Sequence, residues 1–528
     1  MSVRRLRPNR AKYTRTNIAS QPSNSTPTEP HHRPINDTYR WNRIIRSRTD
    51  EKKKNPCEAF LSYAQMRRVR CRIDSYTLVY VAKSCAVVPE AEQVHAHVFK
   101  SGFESEKITQ TAILAMYGLL GLLGSAQKVF DETPHRDVVI WNSLISAYAR
   151  ADRPREAVQV VREMAVVGGD ARPNGVTVTS ALSACSGLKA LKQGKALHGY
   201  AMRSLVVGFD VFVHNALIHV YAKCSCLSYA RRVFGEMGFR NSVTWTSMIN
   251  GCTENGLFYE ALALFEAMKS DARVRPDEAT MLGIVSMAAK MGSFETAKRV
   301  NEYVTENGFA GETRIANALM DMHFKCGDTA TACAMFNRMN AKARTLVTWT
   351  TVIQGLAMHG HGAAALTRFA QMQREGFKPD GVVFLSVLCA CNHAGLVEEG
   401  KKWFESMVGE HGLEPWVEHY GCVVDMLCRT GRVEEAIGVV EGMRRVRPDS
   451  AVWRALLGAC REREDVGLAR EIEQRLLELE PEYKGNYVMM SNMYARVGEW
   501  GGVEETRGRM VRNGGVGRGD CGCSQVEV

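Results

Sequence analysis

Apolar residues along this chain recur at helical spacing. In the stretch that opens at Val138, residues Trp141, Leu144, Ile145 and Tyr148 fall at i, i+3, i+4 and i+7, one face of a helix. Asp152-Arg153-Pro154 ends that helix, because proline is tolerated only near a helix start and Asp is a good cap. Ala157, Val158, Val161 and Met164 draw a second stripe, and Gly168-Gly169 and Pro173 close the segment. The pattern predicts two helices joined by a tight turn. Such a hairpin buries its apolar faces only by stacking on neighbours.

The neighbours are written in the same hand. Trp41, Trp141, Trp245, Trp349 and Trp453 are spaced by 100, 104, 104 and 104 residues, in the matching contexts RWNRII, IWNSLI, TWTSMI, TWTTVI and VWRALL. RPN, RPD and KPD end at Asn174, Asp277 and Asp380, each 103 apart. NALIHVYAKC from Asn215 returns as NALMDMHFKC from Asn317. Cutting before each helix-like opening gives 138–174, 175–210, 211–241, 242–277, 278–312 and 313–345, segments of 31 to 37 residues. That is the size of a helix-turn-helix repeat. The predicted fold is all-α, a right-handed α-solenoid of about fourteen stacked hairpins with a long concave groove. The opening unit is expected to have poorly formed helices, since Lys52-Lys53-Lys54 interrupts it.

Charge changes the picture at one end. The formal net charge is +11, yet residues 1–54 carry 14 Lys+Arg against 4 Asp+Glu, leaving only +1 over 55–528. Residues 381–528 hold 18 basic and 24 acidic groups, so 55–380 hold the small remaining excess of +7. Residues 1–36 are rich in Arg, Ser and Thr with no acid before Glu29, the composition of an organellar transit peptide. The alternative is a disordered basic arm that binds RNA without sequence preference. No run of about 18 apolar residues occurs, so no membrane-spanning helix and no membrane partner is expected. The 16 scattered Cys suggest free thiols in a reducing compartment.

The segments VVIWNSLISAYARADRPREAVQVVREM, NALIHVYAKCSCLSYARRVFGEM and SVTWTSMINGCTENGLFYEALALFEAMKSDARVRPD resemble the pentatricopeptide repeat (PPR) family. The alternation of longer and shorter units is similar to the plant PLS subclass. The end, VWRALLGACREREDVGLAREIEQRLLELEPEYKGNYVMMSNMYARVGEW followed by GCSQVEV, resembles that subclass's E-type extension. The resemblance covers about residues 38–528 and implies a leader at 1–36, a repeat array at 37–450 and an E-type extension at 451–528.

It also implies a job. A modular RNA reader uses two or three side chains per repeat to hydrogen-bond one base. In the family these are the fifth and the last residue of a repeat. Carried over, the pairs are Asn42 with Asp74, Thr111 with Asp137, Asn142 with Asn174, Asn215 with Asn241, Thr246 with Asp277, Asn317 with Thr345, and Thr350 with Asp380. By the family's correspondence, Asn with Asp favours U, Thr with Asp favours G, and Asn with Asn favours C or U. Val79, Thr179, Leu282 and Leu385 hold the fifth place in the intervening units, which are weak readers. The expected target is 5′-U-x-G-Y-x-C-G-x-Y-G-3′, with Thr345 departing from the usual last residue. The other reading of each polar residue is local: Asn, Asp, Ser and Thr are favoured at caps and turns.

Membership of the E subgroup implies C-to-U editing of a single-stranded organellar transcript. The protein partner at the C-terminal extension would be a trans-acting cytidine deaminase or an editing accessory factor. Gln525 stands where the family usually has Trp. Arg density in the leader favours the mitochondrion, with the chloroplast as the alternative. Two rivals stay open, an RNA-protecting or processing factor without editing and a tetratricopeptide-like scaffold for proteins.

Chemistry in cis is not expected. A zinc cytidine deaminase needs His-x-Glu and Cys-x-x-Cys, and neither motif occurs. Cys224/Cys226, Cys389/Cys391 with His393, and Cys521/Cys523 are Cys-x-Cys pairs, not the usual zinc spacing. The first two read as small apolar fillers in repeats. His95 and His97 are two apart, hence not on one helical face. With no phosphate loop and no nucleophile elbow, no catalytic residue, metal or cofactor is assigned.

Overall fold

The computed structural model describes residues 37–49, 56–204, 210–443 and 445–513. The expected leader, Lys52-Lys53-Lys54, Cys521, Cys523 and Gln525 lie outside the described residues. From Thr38–Thr49 to Trp500–Asn513, 28 α-helices follow one another with no strand among the described residues. They pair into hairpins, as the periodicity predicts. The first helices of six successive hairpins begin at Val138, Gly175, Val211, Ser242, Glu278 and Thr313, where the repeat segments were cut.

The chain divides into two units, residues 1–151 and 152–528, each described by itself. In the first, the helices Thr38–Thr49, Ser75–Ser84, Lys107–Leu119 and Val138–Arg150 pack each on the next, forming one layer. The second helices of the hairpins form a second layer against them. The same two-layer stacking runs through the second unit, from Gly175–Gly187 to Lys484–Arg496 in the first-helix layer. Both units are thus α-solenoids, each hairpin covering its neighbour's apolar face.

The repeated tryptophans hold this stack together. Trp141 meets Phe130 edge to face with ring centroids 4.7 Å apart, Trp245 meets Phe234 at 5.0 Å, and Trp349 meets Phe336 at 4.8 Å. On each phenylalanine lies an arginine, Arg136 at 4.4 Å, Arg240 at 4.5 Å and Arg344 at 4.4 Å. The guanidinium of each also donates to the backbone carbonyl of that same phenylalanine. A buried ring, an edge-on ring and a cation thus lock successive hairpins together at these three boundaries, one in every three. Close approach between first helices needs small residues. A Cβ on Gly251 would sit 2.6 Å from that of Ala222, and one on Gly355 only 2.2 Å from the Phe324 ring.

The opening hairpin corrects an expectation. Its helices Thr38–Thr49 and Pro56–Arg68 are formed, of 12 and 13 residues. Burial of Trp41, Ile45, Ala59 and Met66 against each other and the next hairpin outweighs weak local propensity.

Candidate nucleic-acid interface

The last residue of each assigned pair caps the following helix. Asp74, Asn174, Asn241, Asp277 and Thr345 are N-caps of capping boxes whose third helical residues are Thr77, Thr177, Thr244, Thr280 and Thr348. Asp137 accepts from the backbone N–H of Val139 and Ile140, and Asp380 from that of Val383. The local reading of these residues therefore holds. It does not exhaust them, since a carboxylate or carboxamide oxygen has more than one lone pair.

The fifth residues reach the same caps in three pairs. Asn42 Nδ2 donates to both carboxylate oxygens of Asp74, at 2.9 and 3.0 Å, and its Oδ1 accepts from Thr77 at 2.6 Å. Asn215 Nδ2 lies 3.4 Å from Asn241 Oδ1, and its Oδ1 accepts from Thr244 at 2.7 Å. Thr246 and Thr280 share a hydroxyl–hydroxyl bond of 2.8 Å, which joins Thr246 to the Asp277 box. Burial raises the Asp277 pKa, but hydrogen bonds from Thr280 and Ser242 outweigh it and hold the carboxyl below its usual value.

Other pairs differ. Thr111 and Thr350 turn their hydroxyls back to the carbonyls of Lys107 and Leu346 on their own helices. Asn317 is buried with Oδ1 unpartnered, because the Thr348 hydroxyl bonds Thr345 instead. Asn142 and Asn174 belong to different units, so each is placed only within its own.

Beside these pairs stands a row of exposed apolar side chains. Each occupies the second position of a first helix: Tyr39, Tyr76, Ile108 and Val139 in one unit, and Val176, Phe212, Val243, Val347 and Val382 in the other. All are 42 to 74% exposed, although the next residue is often fully buried. Apolar groups repeated at one exposed phase suit a flat, partly apolar ligand such as a nucleobase. Clefts open at two of the pairs. One of about 800 Å³ is lined by Asn42, Asp74, Tyr39, Tyr76, Arg43 and Arg46, and one of about 170 Å³ by Thr246, Asp277, Val243, Asn250 and His219. The last turns of several first helices carry a cation, Arg150, Lys223, Lys290, Lys325 and Arg429.

The PPR repeat model matches residues 139–168, 212–241, 243–271, 315–342, 347–377, 382–411 and 418–447, and the E motif model matches 463–527. A pentatricopeptide repeat-containing protein of Arabidopsis thaliana is 38% identical over 483 residues, covering 89% of this chain and 84% of its own length. The chain belongs to the pentatricopeptide repeat family. Its unequal repeats and terminal E motif are those of the PLS type and E subgroup. A second Arabidopsis PPR protein, whose name calls it mitochondrial, is 38% identical over 445 residues, 83% of this chain and 70% of its own. Another relative's name calls it chloroplastic. A crystal structure of the PPR protein PPR10 from maize aligns with a TM-score of 0.44 and 18% identity, covering 90% of this chain and 79% of that one.

Within this PPR chain, the exposed second position, the capping threonine and the arginine before the cap escaped the reading of the sequence. Each had a signal. Val stands second in VVIW, GVTV, SVTW and LVTW, Thr stands three after the cap, and Arg136, Arg240 and Arg344 are 104 apart. The paired histidines and the first cysteine pair have partners within the fold. His95 bonds the Tyr117 hydroxyl at 2.9 Å and His97 that of Tyr63 at 2.7 Å, and burial lowers the pKa of both. Cys224 and Cys226 flank a turn, and burial pushes the thiols of Cys185, Cys391 and Cys428 up to about 12. Among the described residues, no three His, Cys, Asp or Glu side chains are grouped to hold a metal, and no helix is long and apolar enough to cross a membrane.

Proposed function

We propose that this protein binds single-stranded RNA in a sequence-specific manner inside an organelle and marks a cytidine for C-to-U editing by a deaminase supplied in trans. One observation carries the RNA reading. A polar fifth residue and a capping residue recur in seven repeats, and in six of them the helix of the fifth residue also carries an exposed apolar side chain at its second position. That combination meets a base on its edge and on its face. The readers are Asn42/Asp74, Thr111/Asp137, Asn142/Asn174, Asn215/Asn241, Thr246/Asp277, Asn317/Thr345 and Thr350/Asp380, and the target is 5′-U-x-G-Y-x-C-G-x-Y-G-3′. The mitochondrion is the compartment we favour, from the arginine-rich leader; relatives named for either organelle fit an organellar address.

The deaminase or an accessory factor would dock on the E-type extension. Residues 381–528 carry a net −6, a poor surface for a phosphate backbone and a suitable one for a protein. Selection from a random RNA pool tests the readers. Enrichment of purines at both Y positions would sink the assigned target. Saturable, salt-sensitive RNA binding is expected, and its absence would return the chain to a protein scaffold. Sequencing of mitochondrial and plastid transcripts from a null mutant tests the editing role. Loss of one edited C downstream of the motif is expected, whereas altered transcript ends with editing intact would indicate a processing factor.

A further inference from the structure

Two cysteines one repeat apart meet across a helix boundary. Cys389 lies on the helix Gly381–Ala394 and Cys422 on Val417–Arg429, and these first helices pack on each other. Their Sγ atoms are 3.4 Å apart, the one pair of thiols in contact among the described residues. A disulfide needs a separation near 2.05 Å, so about 1.3 Å of approach would close the bond. Both side chains are half-buried, within reach of a small reagent, whereas neighbouring Cys391 and Cys428 are buried.

The surroundings favour a defined order of reaction. The two thiols share one hydrogen bond, which outweighs burial and lowers the Cys389 pKa; that same bond, together with burial, raises that of Cys422. Cys389 is therefore the better thiolate and the attacking sulfur. The nearby carboxylate of Asp425 is held by Asn392 Nδ2 at 2.7 Å and Arg429 Nε at 2.9 Å.

We propose that Cys389 and Cys422 are a modification site, a dithiol that a small-molecule disulfide such as oxidised glutathione converts to a reversible bridge pinning the two helices together. Cys389 thiolate attacks the reagent's S–S bond, forming a mixed disulfide and expelling one glutathione thiolate. Cys422 then gives its proton to solvent and attacks Cys389 sulfur, expelling the second glutathione. Two protein thiols are oxidised, and one molecule of oxidised glutathione is reduced to two of the thiol.

The test uses the full chain, reduced and then incubated with oxidised glutathione, and needs no RNA. Free thiols are alkylated after unfolding and the peptides mapped by mass spectrometry. The expected result is one linked pair of peptides containing Cys389 and Cys422, two hydrogens lighter than their sum and released by dithiothreitol. Cys422→Ser should trap glutathione on Cys389. Oxidised wild type should melt about 3 °C or more above the reduced protein, a rise absent in Cys422→Ser. Full alkylation of both residues, pairing of either with another cysteine, or an unchanged melting temperature despite the bridge would overturn the proposal. Should the variant misfold, the wild-type peptide map and melting curve decide alone.

Discussion

Asp277 caps the helix Glu278–Met291 through one carboxylate oxygen, which accepts from the Thr280 backbone and hydroxyl at 2.9 Å each. The cap and the proposed base contact can be pulled apart at this residue. Asp277→Ser keeps a good N-cap and should stay within about 0.5 kcal/mol of wild type, whereas Asp277→Ala should cost about 1 kcal/mol. Both should lose discrimination at the matching nucleotide, about 1–3 kcal/mol on the scale of single mismatches in protein–DNA sites. Thermal melts, with competition between RNAs differing at that one base, check it; discrimination surviving in the serine variant would leave Asp277 a cap alone. The phase of these polar residues was legible because capping chemistry is local and recurs with the repeat. Their contacts were not. Whether a fifth-position threonine meets the cap, as Thr246 does through Thr280, or bonds its own helix, as Thr350 does, depends on how successive helices pack.

At the scale of helices, the hairpin boundaries were legible because Pro and Gly enforce them, while the ties between hairpins were not. Arg240 shows why: it lies on Phe234 and donates to that residue's carbonyl at 2.9 Å, a contact no helical period announces. Arg240→Ala should lower unfolding stability by about 1–2 kcal/mol, read from urea midpoints, and Arg240→Lys should recover part of it. The turn at Lys189 is a second case. Its φ is +51°, where the turns at Gly256 and Gly360 have glycine, so Lys189→Gly should stabilise by about 0.5–1 kcal/mol in the same assay. The boundary between Gly381–Ala394 and Val417–Arg429 should respond to acid through His419. His419 is fully buried, accepts from the Trp416 N–H at Nδ1 (3.0 Å) and donates from Nε2 to the Gly381 carbonyl (2.8 Å). Burial lowers its pKa below 6.5 in spite of the bond to Gly381. The folded state then binds fewer protons than the unfolded chain, so its contribution is whole above pH 6.5 and is lost as pH falls through the lower folded value. His419→Gln should be less stable at pH 7 yet lose less between pH 7 and 5 than wild type. An equal loss in both would place the acid sensitivity elsewhere.

Across the whole chain, charge sets how salt should act on RNA binding. Of the +11, +10 lies in residues 1–54 and −6 in residues 381–528, so residues 55–380 of the array keep a modest excess of +7 with which to gather phosphates. The candidates in the array are the last-turn cations Lys83, Arg150, Lys223, Lys290, Lys325 and Arg429. Their placement also favours the helix dipole, so they would sit there without any RNA. Three are already engaged, Lys223 with Glu254 at 2.7 Å, Lys325 with Asp321 at 2.7 Å and Arg429 with Asp425 at 2.9 Å. Each must give up a carboxylate before it meets a phosphate. Between three and six phosphate contacts follow, and at about −0.7 per contact on single strands the slope of log affinity against log salt should lie between about −2 and −4. A chain bound mainly by its basic end would give a steeper slope that collapses when residues 1–36 are removed. Titrations of the full and shortened chains at several salt concentrations separate the cases. An unchanged shallow slope would mean that affinity rests on base contacts, which is the condition for reading a sequence rather than a backbone.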